Sequence, residues 1–187
     1  ANANENFCVM VARVQSNQIS QSWIYMPLTG ECLIAEAGQG AFLFDANGNE
    51  IKRLKTRDWM GFDKTFGRIS FAYFSDKERR LIRERAERTL AHRKSIGSAG
   101  CEYAFVAKGE LDYAIFNRLK VWDHVPGTLI VREAGGDCRM LTGEAYSPTD
   151  TKNGNMVGAS AELNDAVLRL LFDPLLAKKP EDERTSI

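Results

Sequence analysis

Apolar residues follow two different rhythms along this chain. Between residues 7 and 60 they come in short runs cut by turn residues: "FCVMVARV", "SWIYM" up to Pro27, "CLIAEA" before "GQG", "AFLFD" before "ANGN", then "EIKRL". Short β-prone runs broken by Gly, Pro and Asn predict an antiparallel meander. "RISFAYF", residues 68–74, predicts a further strand. From there the period lengthens. Ser75 followed by Glu78 is a capping box, and Leu81, Ile82, Ala86 and Leu90 form a helical stripe, predicting a helix to about Lys94. Its other face carries Arg79, Arg80, Arg83, Arg88 and Arg93, read as solvated rather than as a docking surface.

Helices and strands then alternate: a helix from about Ser98 stopped by Gly109, a strand at "LDYAIF", a helix over 124–134 ended by Gly135 and Gly136, and strands at "DCRML" and "NMVGAS". A last amphipathic helix, "AELNDAVLRLLFDPL", carries Leu163, Val167, Leu170 and Leu171 on one face. The pattern predicts one layered α/β (α+β) domain. It is β-rich over 7–66 and α/β over 67–176, and closes in a charged tail over 177–187 that is expected to fray.

Composition narrows the setting. The chain has 187 residues, 44% hydrophobic and 27% charged, with 25 basic and 25 acidic side chains. Zero net charge argues against nucleic acid or a membrane surface as partner. No apolar run approaches the roughly 20 residues that span a bilayer. Cys8, Cys32, Cys101 and Cys138 are scattered, with no C-x-x-C pair and no zinc spacing. They read as reduced, mostly buried thiols of a cytoplasmic protein.

The candidate chemistry lies in "VWDHVPGTLIVREAGG", 121–136, and "GSAG", 97–100. Asp123 stands immediately before the predicted helix. It is either a cap or, if that helix end faces a cleft, a carboxylate offered to a hard cation such as Mg²⁺ beside an anion-binding helix N-terminus. Pro126 is expected in the first turn, where its missing N–H costs nothing. The small residues of "GSAG" either pack tightly or leave backbone N–H groups open to a ligand. Lys120, three residues before Asp123, is either solvated or in reach of a phosphate.

The pattern of Trp122, Asp123, Gly127, Glu133, Ala134, Gly135 and Gly136 resembles the C-terminal signature of the inositol monophosphatase family, W-D-x-x-x-G-x-x-[LIV]-[LIV]-x-E-[AS]-G-G. "IYMPLTGECLIAEAGQGAFL" and "SIGSAGCEYAFVAKGELDYAIF" resemble other segments of that family in the right order, over roughly residues 7–172. The resemblance implies a fold like inositol monophosphatase and fructose bisphosphatase, and Mg²⁺-dependent, lithium-sensitive hydrolysis of a small sugar or polyol phosphate in a homodimer. It implies Asp123 as a metal ligand close to substrate, and Gly97, Ser98 and Ala99 on the substrate side of the cleft.

The family's other metal ligands, an upstream Glu and a D-P-[IVL]-D-G-T motif, are not found. The sole Asp-Pro is Asp173-Pro174. The chain is therefore expected to be the C-terminal part of a longer protein, with the catalytic groups upstream of residue 1, and to be inactive alone. Phe116 or Asn117 stands where some relatives place a sugar-binding Glu, and Pro126 replaces a small residue. The alternative is a non-catalytic module that keeps the fold for assembly or regulation.

Overall fold

The computed structural model describes residues 5–16, 18–150 and 153–173. The predicted meander is present as β1 (Val9–Gln15), β2 (Gln18–Met26), β3 (Glu31–Glu36), β4 (Gly40–Phe44) and β5 (Glu50–Arg53), an antiparallel sheet in chain order. Its side chains alternate as a pleat requires. Ile24, Leu33 and Leu43 sit in register across three strands and are buried.

The second sheet has the order β7-β6-β8-β10-β9, from β6 (Phe66–Ile69), β7 (Ala91–Lys94), β8 (Tyr113–Phe116), β9 (Asp137–Met140) and β10 (Asn155–Gly158). β6, β7 and β8 run parallel, while β10 and β9 continue the sheet antiparallel.

Four helices complete the layers: α1 (Asp76–Thr89), α2 (Ala99–Ala107), α3 (Val121–Glu133) and α4 (Ala161–Leu171). Their sequences dictate which layer each takes. α2 is buried over residues 100–104 and again at 106 and 107, and α3 continuously from His124 to Val131, so neither has a polar face to give to water. Helices apolar all round belong in a core, and these two pack between the sheets in one cluster with Ile24, Leu33 and Leu43 below and Ala114, Phe116 and Val157 above. α1 and α4 are amphipathic. They cover the opposite face of the second sheet, where Ile82, Ala86, Leu163 and Val167 meet Tyr113, Ile115 and Met156. Residues 113 to 116 thus alternate between the two cores.

Three boundaries differ from expectation. α1 ends at Thr89 rather than near Lys94, because Ala91–Lys94 pairs in parallel with Phe66–Ile69 as β7. That pairing is non-local and overrides local helix propensity. The strand expected over 68–74 stops at Ile69, and the chain turns toward Ser75, where the capping box forms as predicted. α3 begins at Val121, with Lys120 in the N-cap position. The charged tail expected over 177–187 lies outside the described residues. Among the described residues no helix is long and apolar enough to cross a membrane.

Candidate active site

The three parallel strands β6, β7 and β8 end on the same side, and α2 and α3 begin there. Ligands of open α/β sheets gather outside the carboxyl ends of the strands. At this place the chain leaves a cavity of about 830 Å³ lined by Ser70 after β6, Ser95 after β7, Phe116 and Arg118 at the end of β8, and the first residues of both helices. Gly97, Ser98, Ala99, Lys120 and Asp123 all line it. "GSAG" and "WD", about two dozen residues apart in sequence, meet at one opening.

The helix ends differ in a way that bears on chemistry. The outer helices are capped by side chains, α1 by Ser75 accepting from the Glu78 N–H and α4 by Ser160 accepting from the Leu163 N–H. The two that open on the cavity are not: neither Ser98 nor Lys120 makes a side-chain cap hydrogen bond. These two helix ends turn the positive end of their dipoles toward the cavity and an anion there, although one first-turn N–H of α3, that of Asp123, is taken by the Lys120 carbonyl.

Asp123 is not the cap of α3. Lys120 is extended at φ −107° and ψ 127°, its carbonyl accepts from the Asp123 N–H at 2.9 Å, and Asp123 is the third helical residue. Its carboxylate is exposed at the cavity. Pro126 accordingly falls in the second turn, inside the helix, so the Trp122 carbonyl receives no hydrogen bond from residue 126.

In "GSAG" the two readings divide by residue. Gly97 has φ +81° and open space where a Cβ would stand, as the turn into α2 demands. Gly100 is small for packing: a Cβ there would press on Cys8, just ahead of β1, and on Met10 of β1. The loop ahead of α2 is pinned by Glu102, whose buried carboxylate accepts from the Ile96 N–H at 2.8 Å. Burial raises the Glu102 carboxyl above its ordinary range.

His124 received no role from the sequence, yet it organises the site. It is 3% exposed, with Nδ1 3.1 Å from Tyr103 Oη and Nε2 3.2 Å from the Arg118 carbonyl. A carbonyl only accepts, so Nε2 carries the proton, and Nδ1 accepts from the tyrosine. Asn155 Nδ2 in turn donates to Tyr103 Oη at 2.8 Å. Burial lowers His124 to about 4, keeping the ring neutral. This chain from β10 through α2 to α3 braces the cavity mouth, and Phe116 lies against both the Tyr103 and His124 rings at 5.6 and 5.0 Å.

The remaining signature residues act away from the cavity. Glu133 accepts from the N–H groups of Gly38 and Gly40, both at 2.8 Å, clasping the β3–β4 turn. "GQG" and "EAGG", two separate marks in the sequence, are thus one interaction. Gly127 lets α3 approach α2 so closely that a Cβ would overlap the Tyr103 ring.

Positive charge at the cavity comes from Arg118, held by Tyr73 Oη at 2.9 Å, and from Lys120, 5.5 Å from the Trp122 ring. Among the lining residues Asp123 is the one carboxylate. Among the described residues no group of three or more His, Cys, Asp or Glu is placed to hold a metal. Two uncapped helix ends and two cations suit a phosphate group. One carboxylate does not by itself fit Mg²⁺, which takes six oxygens in near-octahedral order.

Known proteins were compared with this architecture. Inositol-1-monophosphatase of Mesorhizobium japonicum is 29% identical over 175 residues, covering 92% of this chain and 62% of the relative. Fructose-1,6-bisphosphatase/inositol-1-monophosphatase of Thermotoga maritima is 27% identical over 167 residues, covering 89% and 60%. Nus factor SuhB of Escherichia coli is 29% identical over 174 residues, covering 91% and 61%. The chain thus spans about 60% of the length of these relatives. In structure it superposes on an IMPase of Thermotoga maritima with a TM-score of 0.76 at 24% identity, over 92% of this chain and 63% of that one. It superposes on Staphylococcal IMPase-II with a TM-score of 0.78 at 22% identity, over 94% and 69%. The inositol monophosphatase family profile matches residues 1–173. With the signature residues divided between cavity and scaffold as described, the chain belongs to the inositol monophosphatase family.

Proposed function

We propose that this chain forms one wall of a phosphomonoesterase site for a small sugar or polyol phosphate. The observation that carries the reading is the convergence of two helix N-termini without side-chain caps on the cavity that Asp123 faces. The N-terminal ends of α2 and α3 face the phosphoryl oxygens and offset their charge, with Lys120 and Arg118 adding positive charge at the mouth. Gly97, Ser98 and Ala99 form the substrate side. Phe116 presents an apolar ring to the cavity, and the substrate is assigned as a small, inositol-1-phosphate-like monoester.

Membership of the family brings Mg²⁺ into the proposal. When bound, Mg²⁺ in such sites neutralises phosphoryl charge and activates water. Asp123 is assigned as one ligand, and the further carboxylates to the portion of the relatives' length that this chain does not span. Lithium inhibition and a homodimer belong to the same proposal.

The test is phosphate release by the full-length protein from a panel of sugar and polyol phosphates, with Mg²⁺ and with added Li⁺. Asp123→Asn should lower kcat/KM by about 10²-fold or more with an unchanged melting curve, since the side chain is exposed. Residues 1–187 alone should show no Mg²⁺-dependent turnover. Undiminished activity in Asp123→Asn refutes the assignment. The name Nus factor SuhB on several relatives supports a second reading, a non-catalytic module for assembly or regulation. Under that reading the full-length protein releases no phosphate from any member of the panel.

A further inference from the structure

The turn that carries β7 into α2, residues 95–98, is fixed by a hydrogen bond at each of its first three amides. The Ser95 N–H donates to the Ile69 carbonyl at 3.2 Å, the Ile96 N–H to Glu102 Oε1 at 2.8 Å, and the Gly97 N–H to Ser95 Oγ at 3.1 Å. The Glu102 N–H closes the turn on the Ser98 carbonyl at 3.2 Å. None of these four bonds uses the N–H of Ser98, Ala99 or Gly100, three residues that line the cavity.

Glu102 stands apart in this set. It is the single charged residue of α2 and is fully buried. A carboxyl group taken out of water is costly unless its oxygens are paired. Asp112, the other buried carboxylate among the described residues, meets that demand through Arg57 at 3.3 Å and the Phe66 N–H at 2.7 Å. Glu102 spends one oxygen on the Ile96 N–H, while its Oε2 is buried with no hydrogen-bond partner among the described residues. Packing alone does not call for such a residue, since an apolar side chain of the same length would fill the space at lower cost. Local rules of stability give way where function requires it.

What Glu102 offers is a way to fix a helix end without taking a first-turn amide. A side-chain cap takes one: Ser75 takes the Glu78 N–H and Ser160 the Leu163 N–H. Ser98, in the N-cap position of α2, takes none. Glu102 instead reaches back to an N–H two residues ahead of that cap position, so the turn is held from inside the helix.

We propose that Glu102 is a positioning residue for the phosphate-binding end of α2, its buried carboxyl oxygen holding the Ile96 N–H so that Gly97, Ser98 and Ala99 are presented to the substrate. The role rests on the phosphomonoesterase reading of the cavity. Glu102 is not among the residues that line the cavity, and it acts through the turn. Loss of its oxygen leaves the part-buried Ile96 N–H unpaired and frees the turn to shift away from the substrate.

The experiment measures phosphate release with Mg²⁺ from inositol 1-phosphate and the other phosphates of the panel. Full-length wild type is compared with Glu102→Met, Glu102→Gln and Glu133→Ala, with a melting curve for each. Glu102→Met keeps the length of the side chain and removes the acceptor. Its KM should rise by about 10-fold with kcat little changed, because the turn meets the phosphate alike before and during reaction. Glu102→Gln keeps an oxygen for the Ile96 N–H and should return KM to the wild-type value. Glu133→Ala loses stability at the far end of α3 and should keep the wild-type KM and kcat, which separates positioning from stability. A Glu102→Met protein with the wild-type KM, whatever its melting temperature, overturns the proposal. So does a Glu102→Gln protein with KM raised by about 10-fold, a readout that holds even where Glu102→Met does not fold. A wild type that releases no phosphate overturns the phosphatase reading and this role with it. An active wild type beside an unchanged Glu102→Met overturns the role alone.

Discussion

Acid should destabilise this protein through one buried ring. His124 has an ordinary pKa of 6.5, and burial lowers it to about 4 in the folded chain. Between those values the unfolded chain binds a proton that the folded chain refuses. Stability from this group is therefore complete above pH 6.5 and is lost as pH falls toward 4. At 1.36 kcal/mol for each pKa unit, the gap corresponds to roughly 3 kcal/mol, against total stabilities of about 5–15 kcal/mol for native domains. The structural cause is specific. Both ring nitrogens are engaged, Nδ1 as acceptor from Tyr103 and Nε2 as donor to the Arg118 carbonyl, so a second ring proton would force the buried Tyr103 hydroxyl to turn from donor to acceptor. The assay is urea unfolding of the wild type and His124→Gln at pH values from about 7 down to about 4.5. The variant should be weaker near pH 7 by about 1–3 kcal/mol, the cost of breaking a buried network. The gap between the two should close on acidification, because only the wild type carries the His124 term. Carboxylates titrate equally in both proteins and cancel in the difference. Two stability curves that run parallel from pH 7 to 4.5 would refute the reasoning.

Glu133→Ala removes both acceptors from the Gly38 and Gly40 N–H groups. Because that turn is partly solvated, a loss of about 2 kcal/mol is expected, toward the lower end for bonds to a charged group, and calorimetry should show Tm lower by about 4–8 °C. Gly127→Ala places a methyl against the fully buried Tyr103 ring. A cost of about 1–3 kcal/mol or more is expected by denaturant titration, whereas Gly38→Ala, with open space but positive φ, should show only backbone strain of about 1 kcal/mol.

The sequence was most legible where structure is local. The meander could be read because its turns carry their own chemistry, and α1 could be started at Ser75 because a capping box lies within four residues. Where α1 ends could not be read, since Ala91–Lys94 becomes a strand only by pairing with residues more than twenty positions earlier. Asp123 before an apolar run looks like a cap, yet an acidic residue is also favourable in the first turn, and local pattern does not separate the two positions. The site residues were legible as a family pattern, which also named Glu133 and Gly127 without giving their work. The contacts that explain them, Glu133 with Gly38 and Gly40, and His124 with Tyr103 and Asn155, join segments far apart in the chain and show no spacing signal.

α3 is held at both ends. The histidine–tyrosine–asparagine chain fixes its start, and the Glu133 clasp fixes its finish. Such a helix does not slide along its axis without breaking the buried Tyr103–His124 bond at its start or the partly solvated Glu133 bonds at its finish. The amides of its buried stretch, His124–Val131, should exchange with deuterium only through opening close to global unfolding, on the slowest timescale of the molecule. Asp123 then stays where the scaffold sets it.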